Sequence, residues 1–270
     1  MIKGALHIHS NVSPDSSLLL EQLKGMFKAS GYSFIMTAEH AEDLSQEKYL
    51  VLRNKCAGLS DDTFLVIPGL EIKWKDKVHF LAYGAKEYMA NENSLSLCET
   101  AKKIKEQTQC DFLVWGHFSH PSKLDYAKNI ESLMCVEGIE IFNAGYHGNF
   151  RPDPNGLRAL NQMGKLGYEI IPLGGLDMHR PDAFGRIYCV IEDLDMPEKD
   201  RIFSYMKKGK CIFRSAFLKL HYPPYSFGSI MFCSVAGMYI RYYRKIRNRA
   251  SRLKNALKIF THTRRFSWNQ

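Results

Sequence analysis

Two rhythms of apolar and polar positions divide the first 210 residues of the chain. Short apolar runs at 4–8, 33–37, 63–67, 78–83, 112–115, 138–142, 170–173 and 187–191 have the length and composition of strands. Between most of them apolar residues recur every three or four positions, which predicts helices over 18–29, 46–59, 95–109, 156–166 and 198–207. In the first helix Leu19, Leu20, Leu23, Met26 and Phe27 form the stripe, and Gly31 ends it. The serines of Ser13-Pro14-Asp15-Ser16-Ser17 are placed to cap that helix. Strands alternating with helices predict an α/β fold with a largely parallel sheet, in which functional residues collect at the carboxyl ends of strands. His9, His40, Glu71, His120, Asp177 and His179 all fall at or just beyond such ends.

Composition adds one division. The 270 residues are 45% hydrophobic, enough for a substantial core, and the formal net charge is +9. Residues 1–200 hold all 28 acidic residues against 21 basic ones, a net of −7, whereas residues 201–270 hold 16 Lys and Arg and no acid. An acidic body with a basic tail excludes a protein that coats nucleic acid over its whole surface. The seven cysteines are scattered and lack a Cys-x-x-Cys pair, which argues against a disulfide framework or a zinc ribbon and fits a reducing compartment. No signal-peptide pattern precedes the first strand, so the expected location is cytoplasmic.

The body is expected to span 1–222 and the tail 223–270. Residues 225–240 carry no formal charge but fall short of the ~20 apolar residues of a membrane span. Residues 241–270 carry ten Lys and Arg, and Tyr239, Tyr243, Ile246, Ala250, Leu253, Leu257 and Phe260 recur at helical spacing among them. Apolar then basic is the order of a peripheral anchor, here on an anionic membrane surface through residues 225–262. Its rivals are a helix that docks an acidic partner or nucleic acid, the latter not favoured by the acidic body, and a solvated helix that packs on the body or pairs subunits.

The candidate chemistry begins at His7-Ile8-His9. Residues i and i+2 of a strand share a face, so both imidazoles would aim at one point, as two ligands of one metal must. Asp177-Met178-His179 repeats the arrangement with a carboxylate after another apolar run. His79 lies mid-strand, where a buried structural imidazole is the rival reading. His120 competes with His117, Asp15 with a plain Asx turn, and Glu140 with a structural role beside Glu137. Asn143 and His147 lie in a glycine-rich loop able to line a pocket, and Arg151, Arg180 and Arg186 are candidates to grip a phosphate.

In order, the boxes His7-x-His9, Asp15, Thr37-Ala38-Glu39-His40, Pro68-Gly69-Leu70-Glu71-Ile72, His79, His120-Pro121, Glu140 and Gly175-Leu176-Asp177-Met178-His179 resemble the PHP (polymerase and histidinol phosphatase) superfamily over about residues 1–215. The resemblance implies a distorted (β/α)7 barrel that hydrolyses phosphate esters with two or three divalent ions, Mn, Zn or Fe, at its mouth. It implies that His7, His9, Glu71 and Asp177 hold one ion, Glu71, His79 and His120 a second, and Asp15, His40 and His179 a third. Asp177, His179 and His40 are then the candidate catalytic residues, with either of the last two imidazoles protonating the leaving oxygen. The implied substrate is a small phosphorylated molecule, a phosphomonoester or a nucleotide-type diester. Two other readings stand beside it: amidohydrolase-like attack at carbon, and a non-catalytic metal- or phosphate-binding module tethered by the tail. This chain departs from the pattern in reading Ala38-Glu39 where relatives usually have Thr-Asp, and Leu176 and Met178 where Ser and Ala are common.

Overall fold

The structure is a computed structural model that describes residues 1–75, 78–118, 130–145, 151–220, 223–239, 242–243 and 246. Strands β1 (Ile2–Ile8), β2 (Phe34–Thr37) and β4 (Leu65–Ile67) lie parallel, connected by α1 (Leu20–Ala29) and α2 (Gln46–Leu59). Each helix buries one side, α1 through Leu20, Leu23 and Phe27 and α2 through Tyr49, Leu52 and Cys56. Past breaks at Ala38 and Pro68 the chain continues into β3 (Glu39–His40) and β5 (Gly69–Trp74), which pair in a second sheet. There β6 (Val78–Tyr83) runs antiparallel to both β5 and β7 (Phe112–Gly116), with α3 (Leu97–Thr108) between β6 and β7. β8 (Gly138–Asn143) and β9 (Ile171–Gly175) follow in parallel, joined through α4 (Pro154–Lys165). Asp153 caps α4 by accepting from the Gly156 amide. β10 (Tyr188–Ile191) returns antiparallel to β1, and after α5 (Lys199–Lys207) the strands β11 (Ile212–Arg214) and β12 (Lys219–Leu220) extend that edge.

The result is a mixed α/β fold of two six-stranded sheets, β12-β11-β10-β1-β2-β4 and β3-β5-β6-β7-β8-β9. The largely parallel sheet expected from the alternation is corrected to a mixed one. Only residues 75–77 separate β5 from β6, too few for the crossover that a parallel pair needs. Among the described residues the strands do not form a single closed sheet. Hydrogen bonds nevertheless tie the chain just beyond β9 to the end of β1: Leu176 N–H donates to the Leu6 carbonyl, Met178 N–H to His7 and His9 N–H to Met178. One continuous apolar core runs through both sheets.

Two local expectations are revised. The serines before α1 do not cap it. Ser16 instead donates its hydroxyl to the His9 carbonyl, and the helix begins at Leu20. The cysteine spacing argued against disulfides, yet Cys98 and Cys135 are bonded, because α3 packs beside the turn at 130–135 and brings their Cα atoms to 5.6 Å. The pair closes a separation of 37 residues, a loop length for which a crosslink contributes about 2–4 kcal/mol. Calorimetry of Cys98→Ser is expected to show a loss of that size relative to the oxidised wild type. Equal melting curves would mean the bond adds nothing.

Candidate metal centre

Between Ala5 and Ile8 the pairing of β1 with β2 slips out of register. His7, inside that irregularity, has φ of 60°, a left-handed conformation that costs a non-glycine residue about 1–3 kcal/mol. His7 and His9 are both fully buried, with ring centroids 5.2 Å apart. Each Nε2 lies 3.6 Å from Asp177 Oδ1, and Glu71 Oε2 lies 3.5 Å from that of His7 and 3.4 Å from that of His9. Asp177 and His117 are also left-handed, with φ of 48° and 46°. Of the five described non-glycine residues in that region, three therefore hold this one cluster.

Glu71 is its hub. The pairing of β3 with β5 sets His40 opposite Glu71, with Nδ1 3.3 Å from Oε2. From the neighbouring β6, His79 Nδ1 contacts Glu71 Oε1. His117, at the end of β7, holds Nε2 3.7 Å from Glu71 Oε1 and 3.5 Å from Asp177 Oδ2. At the mouth, Asp15 Oδ2 approaches the Nε2 atoms of His40 and His179 at 3.3 and 3.0 Å, and those two nitrogens are 3.5 Å apart.

Two buried carboxylates behind the cluster set its orientation. Glu140 accepts from His7 Nδ1 at 2.8 Å, from the His117 amide at 3.0 Å and from Asn143 Nδ2 at 2.9 Å. That turns His7 Nε2 toward the centre, the usual way an outer carboxylate orients a metal-binding imidazole. Glu39 accepts from the Ser10 amide and the Ser13 hydroxyl, while Ser13 Oγ accepts from the His40 amide. It thereby pins the loop that carries Asp15.

The electrostatics follow from burial and from these contacts. Burial opposes a charge on His7, but the Glu140 and Asp177 carboxylates outweigh it and raise the pKa well above the ordinary value. Burial dominates at His9 and pulls it down to about 4, so this imidazole is neutral at pH 7. For His40 the opposing burial is overcome by Glu71 and Asp15, which raise it to about 9. Burial would raise Glu71, yet the imidazoles of His40, His7 and His79 hold it well below the carboxylate range. Asp177 is lowered likewise, against burial, by His117, His7 and His9.

A cation fits this donor set. His7 Nε2, His9 Nε2, His40 Nδ1 and Glu71 Oε2 are buried and have no hydrogen-bonding partner among the described residues. Such atoms are costly to bury unless something compensates them. Four groupings, His7/His9/Asp177, Glu71/His79/His117, His9/His40/His179 and His7/His117/Glu140, each place three ligand atoms within 4.8 Å of one another. Imidazole with carboxylate suits Mn, Fe or Zn. A cavity of about 340 Å³ opens onto the cluster.

A pH dependence follows. His40 has a folded pKa of about 9, above its ordinary 6.5, so its proton stabilises the metal-free protein fully below pH 6.5, and this contribution is lost as pH rises toward 9. A cation must displace that proton. Affinity for Mn²⁺ is therefore expected to rise from pH 6.5 toward 9, with proton release visible as a buffer-dependent binding enthalpy. A pH-independent affinity would contradict the assignment.

Of the residues singled out in the sequence, the structure brings His7, His9, Asp15, His40, Glu71, His79, Asp177 and His179 together. His120 and His147 lie outside the described residues, and His117, the rival of His120, stands in the cluster. Arg151, Arg180 and Arg186 do not line the cavity. Arg151 is buried beside Gly237, Arg180 is exposed, and Arg186 pairs with Asp182. Sequence reading passed over Lys73, Glu42 and Asp43, which do line the cavity. Lys73 had a readable signal, since it follows Glu71 by two positions on one strand.

No family model and no curated protein matches the sequence. Solved structures do. A two-domain protein of Bacteroides vulgatus, described as containing a predicted PHP-like metal-dependent phosphoesterase, aligns with a TM-score of 0.56 and 16% identity. The match covers 79% of this chain and 64% of that one, so this chain spans less than two-thirds of that protein's length. PsfC of Pseudomonas syringae aligns with a TM-score of 0.53 and 14% identity over 90% of this chain and 98% of that one. The likeness is one of fold: this chain is built like a protein with a PHP-like phosphoesterase, as its ordered histidine and carboxylate boxes led us to expect.

Proposed function

We propose that this chain is a metal-dependent hydrolase of small phosphate esters, of the PHP type. The observation that carries the reading is the gathering of six described imidazoles and the carboxylates of Glu71, Asp177 and Asp15 into one cluster, which opens to a cavity through His40, His79, His117 and His179 and keeps four of its buried ligand atoms unsatisfied. In this reading the two sheets form a distorted barrel. Support comes from the hydrogen bonds between residues 176–178 and 6–9 and from the strands that run on across Ala38 and Pro68.

His7, His9, Glu71 and Asp177 would hold one divalent ion, Glu71, His79 and His117 a second, and Asp15, His40 and His179 a third. Bound there, such ions supply a water acidic enough to attack phosphorus and positive charge to offset the phosphoryl oxygens. The protein does the rest. Glu140 and Glu39 hold the imidazoles and the Asp15 loop in place, so little reorganisation remains at the moment of reaction. With the third ion absent, His40 and His179, which border the cavity beside Asp15, would instead hand a proton to the leaving oxygen. Lys73, which contacts Glu42 at the rim, is available to a phosphate that displaces that carboxylate.

The test is metal analysis of the purified protein together with turnover of p-nitrophenyl phosphate and bis-p-nitrophenyl phosphate, with His9→Ala and Asp177→Ala as controls. Mono- or diester hydrolysis abolished by either substitution supports the proposal. Stoichiometric metal with no turnover on any ester would replace it with a metal-binding module.

A further inference from the structure

Residues 227–239, 242, 243 and 246 are helical, and this segment does not hang free of the body. Its root is fixed to α4, because Asn161 exchanges two hydrogen bonds of 2.7 Å with the Tyr225 backbone. Arg158 reaches Ser234 Oγ, and a Cβ at Gly237 would overlap the Arg151 guanidinium. Ile230, Cys233 and Gly237 are buried. They define the inner face of the helix.

The opposite face is apolar and exposed. Phe232, Val235, Met238, Tyr239, Tyr242 and Ile246 are between 49% and 70% accessible. At 3.6 residues per turn they fall within about 120° of arc, centred opposite the buried face. Single exposed apolar residues are ordinary, but a continuous stripe of six marks a surface built to be covered. From residue 241, before the stripe ends, the sequence turns basic: residues 241–270 hold ten Lys and Arg and no acid.

We propose that this helix docks the protein on the surface of an anionic lipid bilayer, its exposed stripe in the acyl–headgroup boundary and the following cations on the headgroups. Charge selects the occupant. The ten cations, with no acid among them, offset the anionic headgroups. Pairing this face with the same face of a second copy would instead bring two basic, acid-free segments side by side. The ring-and-hydroxyl character of Tyr239 and Tyr242 suits the membrane interface. No helix among the described residues is long and apolar enough to cross a bilayer, so the helix lies along the surface. This inference is independent of the chemistry proposed for the metal centre.

Flotation of the full chain with phosphatidylserine-containing vesicles, compared with phosphatidylcholine alone, tests it. Binding should be at least about tenfold tighter to the anionic vesicles and should weaken with added salt. Val235→Glu with Met238→Glu should weaken it by about tenfold or more, with an unchanged thermal melt because both side chains are exposed. Three results would overturn the proposal: no binding to anionic vesicles, binding unaffected by the double substitution, or a vesicle-free dimer that the same substitution dissociates. The last would make the stripe a self-interface. Charge-reversed Arg244→Glu with Lys245→Glu gives an independent arm, expected to remove the preference for anionic lipid; a retained preference would count against the role of the cations.

Discussion

Glu71→Gln is expected to empty the centre of metal and to lower ester turnover by about a thousandfold or more. No other side chain touches as much of the cluster. One carboxylate oxygen faces His7, His9 and His40, and the other faces His79 and His117. The amide keeps the size but loses the charge, and one of its two ends becomes a donor aimed at imidazole lone pairs. Metal assistance in phosphoryl transfer is worth several kcal/mol, and each ~1.4 kcal/mol is a tenfold change in rate. Elemental analysis and kcat on the best ester found would measure the effect, with circular dichroism to establish that the variant is folded. Turnover within about tenfold of wild type and full metal content would remove Glu71 from the role of bridge.

The second large effect is expected from a methyl group. Gly175→Ala places a Cβ overlapping Glu140 Oε1 and 2.8 Å from His7 Cβ. Glu140 cannot swing aside without breaking its hydrogen bonds to His7, the His117 amide and Asn143. Overpacking of this kind costs about 1–3 kcal/mol, a fall of about 2–4 °C in Tm per kcal/mol for a chain of this size. The displaced carboxylate should also release His7 from its orientation and reduce bound metal. Gly164→Ala is the control. It lies in α4, where an added methyl group would meet nothing within 4 Å, so it should stabilise by about 0.5–1 kcal/mol. If Gly175→Ala matched wild type in both Tm and metal content, the packing behind Glu140 would be looser than the geometry states.

Much of this centre was legible because its residues sit where periodic segments end. His40 and Glu71 were readable from the apolar runs that precede them, and Asp177 from the run before Gly174-Gly175. His7 and His9 were readable for a reason that needs amending. Strand alternation predicts that they share a face, whereas β1 slips its register across them and His7 turns through a left-handed backbone. The residue pair was right and the device that aims it was not. His117 and Glu140 were harder: spacing offered His120 beside the one and Glu137 beside the other, and nothing local separates them. The hydrogen bond from the His117 amide to Glu140 joins these two across two strands, and His120 lies outside the described residues. Arg151, read as a phosphate ligand, is buried against the C-terminal helix, a contact that spans more than eighty residues and leaves no periodic trace.

By itself the sequence determined the succession of strands and helices, the acid-free and basic character of residues 201–270, and the types and order of the groups at the centre. These are local properties, since a side-chain period reports which face of one element is buried and composition reports charge. Only the tertiary structure decided that β6 runs antiparallel, that Cys98 meets Cys135, which glutamate orients His7, and which face of the C-terminal helix is left to solvent. Each of those depends on register and packing between segments far apart in the chain, and contact of that kind is set by the sum of the fold and not by the residues on either side.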